Sequence, residues 1–189
     1  MFRLDYLQPS EAWQPDADTI RSFSGAGRPC RVHGVARLVR LVTFGGQAPE
    51  GQAYDPNRRD GSFWFAETDF LRLRSQAEAD LRSQGNPGRL GDRLGMYLRH
   101  QFRDLLAVRR DWTPSFDGYV VLSLPAGKWL IAFVGRVNEQ PVYSPSFPGE
   151  ASARLTGLRL AGGLTQYVIN FDFPANRHGR RFIGAPLPF

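Results

Sequence analysis

Three places in the chain carry side chains suited to ligand chemistry. The first is the late stretch Leu158-Arg-Leu-Ala-Gly-Gly-Leu-Thr-Gln-Tyr-Val-Ile-Asn-Phe171. Gly162 and Gly163 allow a tight turn or a close approach of backbone to a ligand. Tyr167, Val168, Ile169 and Phe171 read as a buried strand. Gln166 therefore falls where a loop becomes a fixed strand, offering two N–H donors and a carbonyl acceptor to a ligand. The second place is Cys30 to Phe44, a run apolar on both faces under period-two alternation. It carries Arg37 and Arg40, which point in opposite directions. A guanidinium in such a strand needs an acidic partner or a ligand at the strand's end, and Arg40 lies nearer the exit loop Gly45-Gly46. The third is the aromatic segment Gly61-Ser-Phe-Trp-Phe65.

Metal chemistry has little to draw on. His33, His100 and His178 are scattered without zinc spacing, and the single Cys30 excludes an internal disulfide or a cysteine-rich site. A reducing compartment follows as the simpler expectation. The formal charge of +6 is carried by arginines and one lysine, Lys128. Arginine's rigid fork of donors suits phosphate, although a high genomic GC content favours it equally.

The elements that must position these residues follow from periodicity. At 189 residues, 42% hydrophobic and 13% aromatic, the chain reads as one globular domain. No apolar run reaches membrane-span length, and Met1-Phe-Arg-Leu-Asp-Tyr6 does not read as a signal peptide. Residues 1–29 read as an irregular arm pinned by Trp13 and Phe23, and residues 30–189 as the domain. The polar segment Gly45–Gly61 is long enough to serve as a lid or binding loop.

Phe70, Leu73, Ala77 and Leu81 predict a helix over about 70–83, capped by Thr68 or Asp69. Leu94, Leu98, Phe102, Leu105 and Leu106 predict a second, over about 90–110. Tyr119–Leu124 and Trp129–Val137 read as strands joined by a tight hairpin at Pro125-Ala-Gly-Lys128. Asn138–Gly157 reads as a polar loop, and the proline-bearing basic tail as a surface wrap. Strands, two helices, then strands predict an α+β domain.

Three stretches resemble the ADP-ribosyltransferase-like superfamily, in its bacterial toxin branch and its necrotizing-toxin NAD glycohydrolases. They are Val39-Arg-Leu-Val-Thr-Phe-Gly-Gly46, the Gly-Ser-Phe-Trp strand leading into a helix (Gly61 to Ala77), and the Leu-Pro-Ala-Gly turn followed later by Gly-Gly-Leu-Thr-Gln-Tyr-Val-Ile (Leu124 to Ile169). They span about Cys30 to Phe173 in the family's order.

The resemblance implies a split β-sheet core, two packed β layers around a cleft, with the helices between the two strand groups. It implies NAD as substrate and no metal. It makes Arg40, or Arg37, the holder of the NAD phosphates or ribose, with His33 of Arg31-Val-His-Gly34 as an alternative. Ser62, Phe63 and Trp64 would frame the nicotinamide pocket, Gly163 would lie close to the ligand, and Gln166 would orient the nicotinamide ribose. Arg40, Trp64 and Gln166 would then converge on one cleft.

Cleaving the nicotinamide–ribose bond builds positive charge on the ribose, and the departing nicotinamide needs no protonation. The protein must strain the dinucleotide and place dipoles around that charge. Protein-modifying members usually have Glu at the third position. Gln cannot act as a general base, which favours hydrolysis or an acceptor that is already nucleophilic, with Glu67 and Glu139 as possible helpers.

The implied protein is a toxin effector, secreted or delivered to a cytoplasmic site of action, with a protein or nucleic-acid acceptor and a cognate immunity protein or antitoxin as partners, and no membrane. Two readings compete. One is a basic nucleic-acid-binding module that stacks bases on Trp64, Trp129 and Tyr143. The other is a non-catalytic accessory protein.

Overall fold

The structure, a computed structural model, describes residues 2–42, 62–84, 90–107, 116, 118–144 and 153–189. The Gly45–Gly61 segment, Tyr143's side chain and Arg109–Arg110 lie outside what it describes. The strands are β1 (Arg3–Tyr6), β2 (Phe23–His33), β3 (Ala36–Val42), β4 (Phe63–Ala66), β5 (Gly118–Leu124), β6 (Trp129–Val137), β7 (Gln140–Ser144), β8 (Ala153–Leu160), β9 (Thr165–Ile169) and β10 (Leu187–Pro188). The helices are α1 (Ala17–Arg21), α2 (Glu67–Ser83) and α3 (Leu90–Leu105), with a 3-10 helix at Pro174–Phe182. The domain is thus mixed α and β.

Eight strands form one antiparallel sheet in the order β1-β2-β6-β9-β4-β3-β5-β10, and β7 pairs with β8 apart from it. The main strands unite in one sheet rather than in two packed layers. β1 and the start of β2 belong to that sheet although they lie within residues 1–29. Phe23 is buried against Phe133, with Trp13 packed on the same cluster.

The run expected as one strand from Cys30 is broken at Gly34, whose φ of 84° belongs to the left-handed region. β2 and β3 are the two halves of a bent strand. Their partners repeat the bend: His33 stands opposite Trp129 on β6, and Ala36 opposite Leu124 on β5. The turn at Pro125–Lys128, with Gly127 at φ 75°, is therefore a fold in a long ladder, since β5 and β6 pair with β3 and β2 rather than with each other.

The bend also curls the sheet. His33 and Ala36 are three residues apart and so at most about 11 Å. In a flat sheet, the four strand spacings from β2 to β3 would separate them by about 19 Å.

The curl has an inner and an outer face. Inside lie Val32, Leu38, Trp64, Leu122, Leu130, Tyr167 and Ile169, all buried with Phe171 and Ile183. Outside, α2 and α3 cover Val39, Leu41, Phe65 and Val121. The predicted stripes Phe70, Leu73, Ala77, Leu81 and Leu94, Leu98, Phe102 are the buried helix faces, and the Phe70 and Phe102 rings stack at 5.4 Å. α2 begins at Glu67 after Ala66, without the Thr68 or Asp69 cap expected. α3 ends five residues before its expected end because the chain turns at Ala107, φ 48°.

Residues expected as loop form β7 and β8. The tail does more than wrap. Buried Asn176 donates to Ile131 O (2.8 Å) and Asn170 O (2.9 Å) and accepts from Ile131 N (2.7 Å), replacing the partner that β6 lacks beyond the end of β9.

Candidate functional site

The Arg-bearing strand, the aromatic strand and the Gln-bearing strand lie side by side, since β4 pairs with both β3 and β9. Gln166 stands opposite Gly135 on β6 and Phe65 on β4; Phe65 stands opposite Val39, and Val39 opposite Val121. Directly paired residues share a face, so Gln166 is on the outer, helix-bearing face. Arg37, two residues before Val39, shares it. Arg40, one step off, is on the inner face with Leu38 and Val42.

The two arginines differ accordingly. The Arg37 side chain is 53% exposed, and its Nε lies 2.6 Å from Glu67 Oε2. Arg40, whose Cα partner is Val120, is 1% exposed within the inner core. Trp64 is fully buried on that face, edge-on to Phe171 at 6.0 Å. Arg40 and Trp64 are therefore brought onto one face and Gln166 onto the other, so these three do not converge on a common cleft. The alternation of side chains along strands forbids it.

The Gln166 amide occupies a seam. On one side lies the cluster under α2 and α3, containing Phe65 and Leu164. On the other is the cluster of Phe23, Phe133 and Val168, with half-buried Phe63 against it. Gly135 beside it leaves room that the Phe23 ring fills, since a Cβ there would come within 2.5 Å of Phe23 Cδ1. Gln166 is 7% exposed. In such apolar surroundings an amide dipole acts more strongly than in water. Ser62 is exposed at the head of β4, its carbonyl accepting from Ile169 N at 2.8 Å.

The Gly162-Gly163 turn is fixed by the end of α3. Ala161 N donates to Asp104 Oδ1 (2.8 Å), Gly162 N to Asp104 O (2.9 Å) and Leu164 N to Leu105 O (3.3 Å). Gly162, at φ 65°, has no room for a Cβ, which would meet Val137 O and Asn138 O at 2.7 Å. Gly163, at φ 102°, is half-buried beside the Arg136 guanidinium. The glycines were legible as a turn. The Asp104 clamp that aims β9 was not, because it joins segments 57 residues apart.

His33 stands elsewhere on the outer face. Its partner is Trp129, six residues along β6 from Gly135, about 20 Å away. His33 Nε2 lies 2.8 Å from Asp5 Oδ2, at ion-pair distance but without hydrogen-bond alignment. It borders a hollow of about 350 Å³ at the bend, walled by Arg3, Arg31, Lys128 and Trp129.

The platforms of the nucleic-acid reading fare poorly, Trp64 being sealed and the Trp129 ring covered by Arg31 at 4.8 Å. Glu139 is paired with Arg159 at 2.8 Å. Cys30 is buried, its thiol pushed up to about 11 by desolvation, which argues against a reactive role. Among the described residues, no group of His, Cys, Asp and Glu could hold a metal ion, and no helix is long and apolar enough to cross a membrane.

No protein-family model, curated protein or solved structure matches this chain.

Proposed function

We propose that the protein is an NAD-consuming enzyme that cleaves the nicotinamide–ribose bond and passes ADP-ribose to water or to a macromolecular acceptor. In this reading it is a toxin effector acting in the cytoplasm of a target cell, with an immunity partner in its producer. The observation that carries the proposal is the adjacency of β3, β4 and β9. β9 follows β3 and β4 by more than 90 residues in sequence, yet the three segments, each resembling a part of ADP-ribosyltransferase-like enzymes, lie side by side. The split core of that family remains part of the proposal, its counterpart here being the bend between β2–β3 and β5–β6.

The roles follow from the faces. Gln166 accepts a hydrogen bond from a ribose hydroxyl and holds the sugar as positive charge develops. The C–N bond breaks with its electron pair going to the nicotinamide nitrogen, and water attacks the ribose carbon and loses a proton. Gln166 takes no proton. The first-strand role passes from the sealed Arg40 to Arg37, whose guanidinium is in reach of phosphate and is now paired with Glu67. Trp64 supports the site from below as a core residue, leaving Phe63, on the outer face of β4, to line the nicotinamide side.

The test is to incubate the purified protein with NAD and measure free nicotinamide and ADP-ribose. Equal release of both identifies hydrolysis. Nicotinamide without ADP-ribose identifies transfer. Release of neither by a folded protein leaves the accessory reading in its place.

A further inference from the structure

The hollow at the bend lies apart from the Gln166 seam, and His33, the alternative holder of the NAD phosphates, borders it. Arg3 on β1, Arg31 on β2 and Lys128 in the turn converge on it with Asp5 as the one carboxylate among the described residues, and Asp5 already faces His33 at 2.8 Å. Register explains the convergence. Arg3, His33 and Trp129 form one cross-strand row, and Asp5 and Arg31 the next, all on one face. Gly34 and Gly127, both at positive φ, turn the backbone at the mouth, and a Cβ on Gly127 would meet nothing within 4 Å.

Exposed arginines are usually solvated, but two features set this group apart. The Arg31 guanidinium lies over the Trp129 ring, its Cζ 4.8 Å from the centroid, a cation–π contact that holds it in place. Its Nε is buried without a hydrogen-bond partner. A guanidinium in the wall of a hollow of small-ligand size, with two further cations beside it, calls for an anion. A planar fork with two further cations at the rim suits the tetrahedral oxygens of phosphate.

We infer that the hollow binds the phosphate group of a small phosphorylated ligand of mononucleotide size, at a site separate from the Gln166 seam. Trp129 serves to hold Arg31 and not to stack a base, since Arg31 covers its face and His178 meets it edge-on at 6.2 Å.

Calorimetric titration with 5′-AMP, inorganic phosphate and adenosine tests this at fixed low salt. AMP and phosphate should bind saturably and adenosine should not. Arg31→Gln should weaken AMP about tenfold or more with an unchanged thermal midpoint. The double variant Arg3→Gln, Lys128→Gln provides a second reading of the same loss without disturbing the Trp129 stack.

Absence of saturable binding, equal binding of adenosine, or unaltered affinity in both variants would overturn the inference. So would a single-stranded oligonucleotide that binds tightly and is not displaced by AMP. Arg31→Gln should leave nicotinamide release unchanged, so this site and the NAD reading fail independently.

Discussion

The two faces of the curled sheet use the same strands for opposite ends. On the inner face, Arg40 and Trp64 are sealed among aliphatic and aromatic residues. On the outer face, Arg37 is open to solvent and Gln166 sits at the seam of two clusters. Arg37 and Arg40 are three positions apart on one strand, yet one is available to a ligand and the other is part of the core. A residue type in a motif thus says little until the parity of its strand is known.

The comparison sharpens on stability first. Trp64→Ala should cost about 3–5 kcal/mol in denaturant unfolding, the range for emptying a buried aromatic site. A cost under about 1 kcal/mol would mean that the ring is not core. Arg40→Ala should cost about 3 kcal/mol, since removing a buried charge strands the groups around it. Arg37→Ala should cost less than about 1 kcal/mol, as for exposed ion pairs. Comparable losses in the two arginine variants would erase the distinction between faces.

The inner face should also show itself at alkaline pH. Burial raises the Cys30 thiol from 9.0 to about 11, with Arg28 pulling weakly the other way, and raises the Tyr167 hydroxyl from 10.0 to about 12. The folded protein keeps these protons where the unfolded chain releases them. Their contribution to stability is complete below about pH 9, and falls as pH rises through 9 to 11 for Cys30 and 10 to 12 for Tyr167. The thermal midpoint should decline across that window, and Cys30→Ala should flatten the earlier part. An identical slope in the variant would remove Cys30 from the account.

Local patterns made much of this legible. The stripes on α2 and α3 mark their buried faces because helical periodicity needs only neighbours in sequence. Strands β5, β6 and β9 stand out for the same reason, and alternation alone sets Arg37 against Arg40. Which of the two faces inward depends on what covers each side of the sheet, and proximity to Gly45-Gly46 favoured Arg40.

The bend at Gly34 was hidden because apolar alternation runs through it, and only the change of partners from β6 to β5 reveals it. Pro125–Lys128 has hairpin composition, and a fold in a ladder uses the same residues. Asn176 and Asp104 act through single long-range hydrogen bonds, which leave no periodic trace.

Nicotinamide release by Gln166→Ala, measured beside the parent protein and with the thermal midpoint of each, tests the central claim most directly. The account predicts active parent protein, a loss of about 100-fold in the variant, as for one transition-state contact removed, and a lowered midpoint with the fold kept, since the side chain is buried. Full activity in a folded Gln166→Ala protein, or none in the parent, would contradict it.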